Sequence, residues 1–414
     1  MSLTATRGTV AQASSERGLD WLTFLVGMLQ TGFGAFVPAF LSLHGWRQVE
    51  IGAVLSLETV ASMVSQVPGG AVVDATRHRH RLLGGAIMAL GCSALLLAAL
   101  PSYVPVLVAL CLHDFASCIV VPAIAAISLL LVGQAALGER LGHNARYAAL
   151  GSMIGAAVMG VCATWLSERV VFLLVALLAF ASQWPLRIIA EPDSEATTAT
   201  HGHMPEHTEE ALSPFLLLHD RRLVTFIICV LLFQISSATI VPLAVADLTA
   251  HRGSTDGLII AAFVIVPQLL VALAAPWVGR AAEHYGRRPL LLVGFAAMPL
   301  RAMLFAVVPD PHALVVVQML EGVGAAVFGV MVPLIAADLT RGTGRFNLLQ
   351  GVLGLTAATG AAISTTLGGA AADAWGLVPA YWLLTAIGVA GVLIVVALTH
   401  ETHHRVAPLH ARVL

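Results

Sequence analysis

The chain has 414 residues, of which 58% are hydrophobic and 11% charged, and its 21 basic and 23 acidic side chains leave a formal charge of −2. That composition excludes two or three ordinary soluble domains and points to a membrane bundle, while the near-zero charge argues against a nucleic-acid partner. Lysine is absent, and Cys92, Cys111, Cys118, Cys162 and Cys229 all fall inside apolar runs without CxxC spacing, which reads as five reduced packing residues.

A helix needs about 20 apolar residues to cross about 30 Å of hydrocarbon. The first 18 residues are polar, and the run after them is too long for the core of a cleaved leader. Residues 1–18 are expected to form a cytoplasmic tail. Six crossings are then predicted over Leu19–Leu43, Glu50–Val73, Leu82–Leu100, Val104–Leu131, Tyr147–Leu166 and Val170–Ala190, with a polar link at 133–146 before the fifth. They make a first bundle, 19–190. From Glu191 to Glu210 the sequence is rich in Glu, Thr and His, with almost nothing to bury, and reads as a flexible linker within 191–221. Ser213–Arg222 looks like a short interfacial helix leading into a second bundle, 222–398. Its crossings are predicted over Leu223–Ala246, Leu258–Val278, Leu290–Val308, His312–Ala337, Phe346–Ala372 and Leu377–Leu398, with a tail at 399–414.

The halves echo one another. Gln30 precedes Pro38 by eight residues as Gln234 precedes Pro242, and Leu107–Asp114 in helix 4 is echoed by Leu314–Glu321 in helix 10. The fold class expected is therefore all-α, with twelve transmembrane helices in two pseudo-symmetric six-helix bundles. With both termini inside, 17 of the 21 arginines lie on the cytoplasmic face, Arg47, Arg169 and Arg252 lie outside, and Arg301 is in the membrane. The positive-inside rule favours that orientation.

Between helices 8 and 9 stands Gly279-Arg-Ala-Ala-Glu-His-Tyr-Gly-Arg-Arg-Pro289. Gly279 and Gly286 are expected to let the hairpin turn closely, and Arg280, Arg287 and Arg288 to hold it inside. Its spelling, with Gly279, Glu283, Gly286, Arg287 and Arg288 in place, resembles the signature loop of the major facilitator superfamily of secondary transporters. A worn copy follows helix 2, where Gly70 and Asp74 match but Ala75 replaces the usual Arg and no second Gly appears. The resemblance implies two halves rocking about a central site, an architecture for which this superfamily is a standard example. The drug/proton antiporter branch is matched only loosely. Cys111 stands where that branch carries Arg, Gln318 occupies the equivalent place in helix 10, and Gly155 is followed by Ala156 rather than Pro.

An ionisable group at mid-bilayer costs about 2.5 to 3.5 kcal/mol on insertion scales. Glu58, His113, Asp114, Arg301 and Glu321 therefore each ask for a reason. Arg301 and Glu321 sit at similar depth in one hairpin and read as an intramembrane ion pair, with Glu321 also a cavity candidate. Helix 4 lines the cavity in the resembled family, so His113 and Asp114 are proton-coupling candidates alongside Glu58. Adjacent helical positions diverge by about 100°, so at most one of the helix 4 pair is expected to point fully inward. The alternatives are a structural histidine bonded to a neighbouring helix, and a Glu58 that either binds a cationic substrate or bonds a backbone carbonyl. Gln30, Gln234, Gln268 and Gln350 are the polar cavity candidates, or equally interhelical ties.

His201, His203 and His207 in the linker and His400, His403, His404 and His410 in the tail could hold divalent metal, but without Cys or carboxylate geometry no metal site is assigned. No catalytic dyad, phosphate loop or cofactor motif is present, so an enzyme is not expected. The reading is a monomeric transporter of the bacterial inner membrane whose partners are a small-molecule substrate, protons and the bilayer, moving its cargo by proton-coupled efflux. Proton-coupled metabolite uptake, export of a siderophore or metal chelate, and a non-transporting receptor or scaffold stand as alternatives.

Overall fold

In the computed structural model, residues 2–33, 36–190, 221–245 and 257–398 are described. They contain helices and no strand. The expected linker at 191–210, most of the interfacial helix, Arg252 and the tail lie outside the described residues. Among the described residues, twelve helices are long and apolar enough to cross a membrane, and we number them α1 (Gln12–Pro38), α2 (Glu50–Ala75), α3 (Arg79–Ala99), α4 (Tyr103–Val132), α5 (Leu137–Trp165), α6 (Glu168–Ile188), α7 (Arg221–Val245), α8 (Ala262–Tyr285), α9 (Arg287–Val307), α10 (Pro311–Leu339), α11 (Phe346–Trp375) and α12 (Leu377–Ala397).

Several helices outrun the apolar segments that announced them. The first begins at Ser2, so residues expected as a tail are helical, and it ends at Thr31 before resuming as Phe36–Leu43. The expected polar link before α5 is helical from Leu137. α8 continues through the charged signature to Tyr285, so Gly279 is not a turn residue. The reversal falls on Gly286 alone, whose φ of 89° only glycine adopts readily. α10 breaks at Gln318 into Pro311–Val317 and Met319–Leu339. Prolines inside α2, α4, α8, α9 and α10 each remove one backbone bond, which neighbouring helices in a membrane bundle can offset.

The two six-helix halves pack by the same plan. In the first, α5 lies on α1, α4 on α2 and α3, and α6 on α3; in the second, α11 lies on α7, α10 on α8 and α9, and α12 on α9. Between halves the exchange is also reciprocal, α5 against α8 and α11 against α2. One buried apolar cluster, including Leu22, Ile87, Val120, Phe172, Phe233, Val330 and Leu349, runs through both halves. A smaller one around Phe263, Phe305, Tyr381 and Leu384 fills the far end of the second half. Exposed Trp21, Trp184 and Trp277 near one end and Trp165, Trp375 and Trp382 near the other suit the two interfaces of a bilayer.

Candidate functional site

Helix α4 is almost wholly apolar, so the adjacent polar pair His113 and Asp114 has to face another helix. Both are largely buried, with side chains 12% and 11% exposed. Glu58 reaches them from α2, and one ligand atom from each of the three residues lies within 4.8 Å of the others. Both members of the α4 pair thus approach Glu58 despite the angle between adjacent positions. Phe33 of the first chain segment stacks on the imidazole with ring centroids 3.8 Å apart, and Ser117 Oγ lies 3.4 Å from His113 Nε2. His113 Nδ1 is 3.6 Å from Asp114 Oδ1, too far for a hydrogen bond. That nitrogen and Asp114 Oδ2 have no hydrogen-bond partner among the described residues, nor does an arginine there pair with either carboxylate. Two acids, Asp114 buried and Glu58 half-buried, and an imidazole therefore meet without a fixed counter-charge.

The second half carries a contrasting, compensated group. Arg301 of α9 is 1% exposed and donates from Nη1 to Glu321 Oε2 at 2.5 Å and from Nε to Gln318 Oε1 at 2.8 Å. Ser237 Oγ donates to the same glutamate oxygen at 3.1 Å, and Gln318 Nε2 donates to the Phe263 carbonyl at 3.1 Å.

The halves are clasped at the end that carries Asp74 and Glu283. Asp74 Oδ1 accepts the Asn347 backbone N–H at 3.1 Å and its side-chain amide at 2.7 Å, and Oδ2 accepts the Leu348 N–H at 2.7 Å. The two backbone N–H groups are orphan donors of the first turn of α11, which a carboxylate caps well. By the pseudo-symmetry, Glu283 Oε1 accepts the Glu139 N–H at the start of α5 at 3.1 Å. The glycines permit the approach: a Cβ on Gly70 would run into the Asn347 backbone, and one on Gly279 into that of Gly138. Gln134 Nε2 adds a bond to Asp338 Oδ1 at 3.1 Å, while Arg287 holds the other oxygen of Asp338 at 2.9 Å. At the same end, Arg140 of α5 pairs with Asp20 of α1.

The remaining amides divide. Gln350 Nε2 lies 3.4 Å from Asn347 Oδ1, one turn along α11 from the clasp. Gln234 packs where a side chain on Gly360 would stand. Gln30 and Gln268 are half-buried on α1 and α8. Arg288, by contrast, is exposed and donates to the Val396 carbonyl at 2.7 Å. Sequence reasoning passed over Phe33, Gln134, Glu139, Asp338 and Asn347. The only signal for Asn347 was an uncharged polar residue opening an apolar run, and its partner stands 273 positions earlier.

A family model described as Major Facilitator Superfamily matches residues 19–245 and 226–412. Two uncharacterized MFS-type transporters of Mycobacterium tuberculosis, from strains CDC 1551 / Oshkosh and ATCC 25618 / H37Rv, are each 31% identical over 391 residues, covering 93% of both chains. Among solved structures, the human organic anion transporter MFSD10 (TETRAN) is similar with a TM-score of 0.68 at 14% identity, over 93% of this chain and 99% of that one. The nucleoside transporter NupG is similar with a TM-score of 0.62 at 15% identity, over 92% and 98%. At these identities the two structures speak for the fold alone.

Proposed function

The chain belongs to the major facilitator superfamily and is a secondary transporter, and on that premise we propose that it is a proton-coupled exporter of a small, partly apolar molecule, with Glu58, His113 and Asp114 as the proton site. The observation that carries this reading is the contrast between the halves. Arg301 and Glu321 neutralise each other, whereas half-buried Glu58 and buried Asp114 come together without an arginine partner among the described residues. Like charges brought together in low dielectric repel strongly, and a proton is the smallest positive charge that relieves them. Ser117 and His113 then offer the hydrogen bonds along which it is passed.

The arginine-rich clasp end is the cytoplasmic one in this reading. With the clasp made, the proton loads from outside. Its loss inside restores the uncompensated pair, and that charge is what favours one arrangement of the halves over the other. In bacteria the setting would be the cytoplasmic membrane. Gln30 and Gln268 would meet cargo, and Gln350 would act with the clasp.

The test begins with a ligand screen by thermal shift on the purified chain, since binding to the folded state alone raises its stability. The identified cargo is then added to proteoliposomes holding a pH-sensitive dye. Cargo addition should move protons, and an imposed pH gradient should move cargo. Glu58→Gln and Asp114→Asn should uncouple the two fluxes while cargo binding persists. Coupled flux that survives in both variants would sink the assignment.

A further inference from the structure

A second polar feature of the molecule lies away from the central groups, on its outer wall. α3 and α6 run antiparallel against each other, and each shows one exposed stripe: Arg81, Gly85, Met88, Cys92 and Leu95 on α3, and Leu173, Leu177, Phe180, Trp184 and Arg187 on α6. The spacings in both are four, three, four and three, the outward face of a helix. Because the helices are antiparallel, both stripes end in arginine at the same end of the bundle. Between those ends a cleft of about 640 Å³ is lined by His80, Arg81, Gly84, Gln183, Leu186 and Arg187. It is open at Gly85, where a Cβ would meet nothing within 4 Å. Neither Arg81 nor Arg187 has an ion-pair or hydrogen-bond partner among the described residues.

We propose that this cleft holds the headgroup of an anionic phospholipid of the leaflet at the clasp end. Two forked guanidiniums match a phosphodiester, and basic pockets between transmembrane helices are where such headgroups lodge. What selects a lipid over free phosphate is continuity. The exposed Met88, Phe180 and Leu177 rise directly from the basic floor along the membrane face and give acyl chains an apolar wall. Trp184 stands between floor and wall, where an indole suits the interface.

Native mass spectrometry of the purified full chain in detergent tests this with three probes: phosphatidylglycerol, phosphatidylcholine of the same chains, and inorganic phosphate. The first phosphatidylglycerol should bind about thirtyfold more tightly than phosphatidylcholine, each arginine near the surface contributing about a factor of five. The double variant Arg81→Gln/Arg187→Gln should lose that preference, and the double lysine variant, which keeps the charges without the forks, should retain only part of it. Gly85→Leu, which keeps both charges but fills the cleft, should weaken phosphatidylglycerol binding. Equal binding of the two lipids, a preference unchanged in the glutamine variant, or displacement of bound lipid by millimolar phosphate would each overturn the proposal.

Discussion

The carboxylate of Asp74 accepts the backbone N–H of Leu348 at 2.7 Å, so a residue at the end of α2 in one half caps the first turn of α11 in the other. Asn347 adds two further donors to the same group. An N-cap contributes about 0.5 to 2 kcal/mol, and this one exists only while the halves are closed at that end. Asp74→Ala should therefore shift the equilibrium toward opening there by about tenfold, with the helices intact. Spin labels placed at Arg77 and Arg345 would read the distance distribution between the two ends. An unchanged distribution would show that Asp74 does not hold the clasp.

Gly279 supplies the same closure from the other side by steric permission. Its α-carbon faces the Gly138 backbone so closely that a Cβ there would collide with main chain rather than with a side chain able to move aside. Gly279→Val should bar α8 from α5, leave the chain helical and prevent the closed arrangement from forming. Cysteines introduced at Gln134 and Arg341, on the α4–α5 and α10–α11 links whose side chains meet at the same end, should be joined by a short bifunctional maleimide in the parent chain and much less in the valine variant. Gly160→Ala on α5, where a Cβ meets open space, is the control and should crosslink like the parent.

Apolar run length announced twelve helices, because it is a local property of the chain, whereas the glycine spelling marked Gly279 as a turn residue and not as the seat of a contact with Gly138 across the halves. The extent of the helices was less legible. Leu137 and Tyr285 bound helices that continue through charged stretches read as links, since those polar turns are held by the opposite half rather than left in water. The partner of Asp74 was not legible at all, because capping needs only a backbone N–H and any residue can provide one. Phe33 was hidden for a different reason. In an apolar run nothing distinguishes a ring stacked on His113 from one facing lipid. The amides were ambiguous from the start, and geometry separates Gln350, beside Asn347, from Gln30 and Gln268.

Asp310 allows a pH prediction outside the membrane-spanning segments. It caps α10, accepting the backbone N–H of Ala313 at 3.1 Å and that of His312 at 3.4 Å. The Ala313 bond, with smaller help from His312, holds its carboxyl below the usual aspartate range. An acid whose folded value lies below its unfolded value of about 3.9 stabilises the fold fully above that value and loses the increment as pH falls through the folded one. The melting temperature of Asp310→Ala should thus lie below the parent at about pH 5 and converge with it as pH falls below about 4. A gap that widens between about pH 5 and 3 would contradict the cap. The group is exposed, so the shift is small.

Arg301 and Glu321 make the sharpest stability prediction, because their roles are unequal. Arginine cannot shed its charge, and with Arg301 at 1% exposure it has no route to water. Glu321, with its side chain 29% exposed, is not sealed inside the protein. Removing the glutamate therefore strands a fixed, fully buried cation, whereas removing the arginine leaves a group that is only partly enclosed. Breaking a buried pair typically costs about 3 to 5 kcal/mol. Glu321→Leu should fall in or above that range, and Arg301→Met should fall below it, the remaining loss coming from Gln318 Oε1 and the Ser237 hydroxyl left without their donor. The double variant should recover most of the deficit, since replacing both ions by well-packed apolar groups is often neutral or stabilising. Melting curves of the four proteins in one detergent form the required cycle. A double variant less stable than Glu321→Leu would mean that Arg301 stabilises the far end of this half through contacts other than its carboxylate.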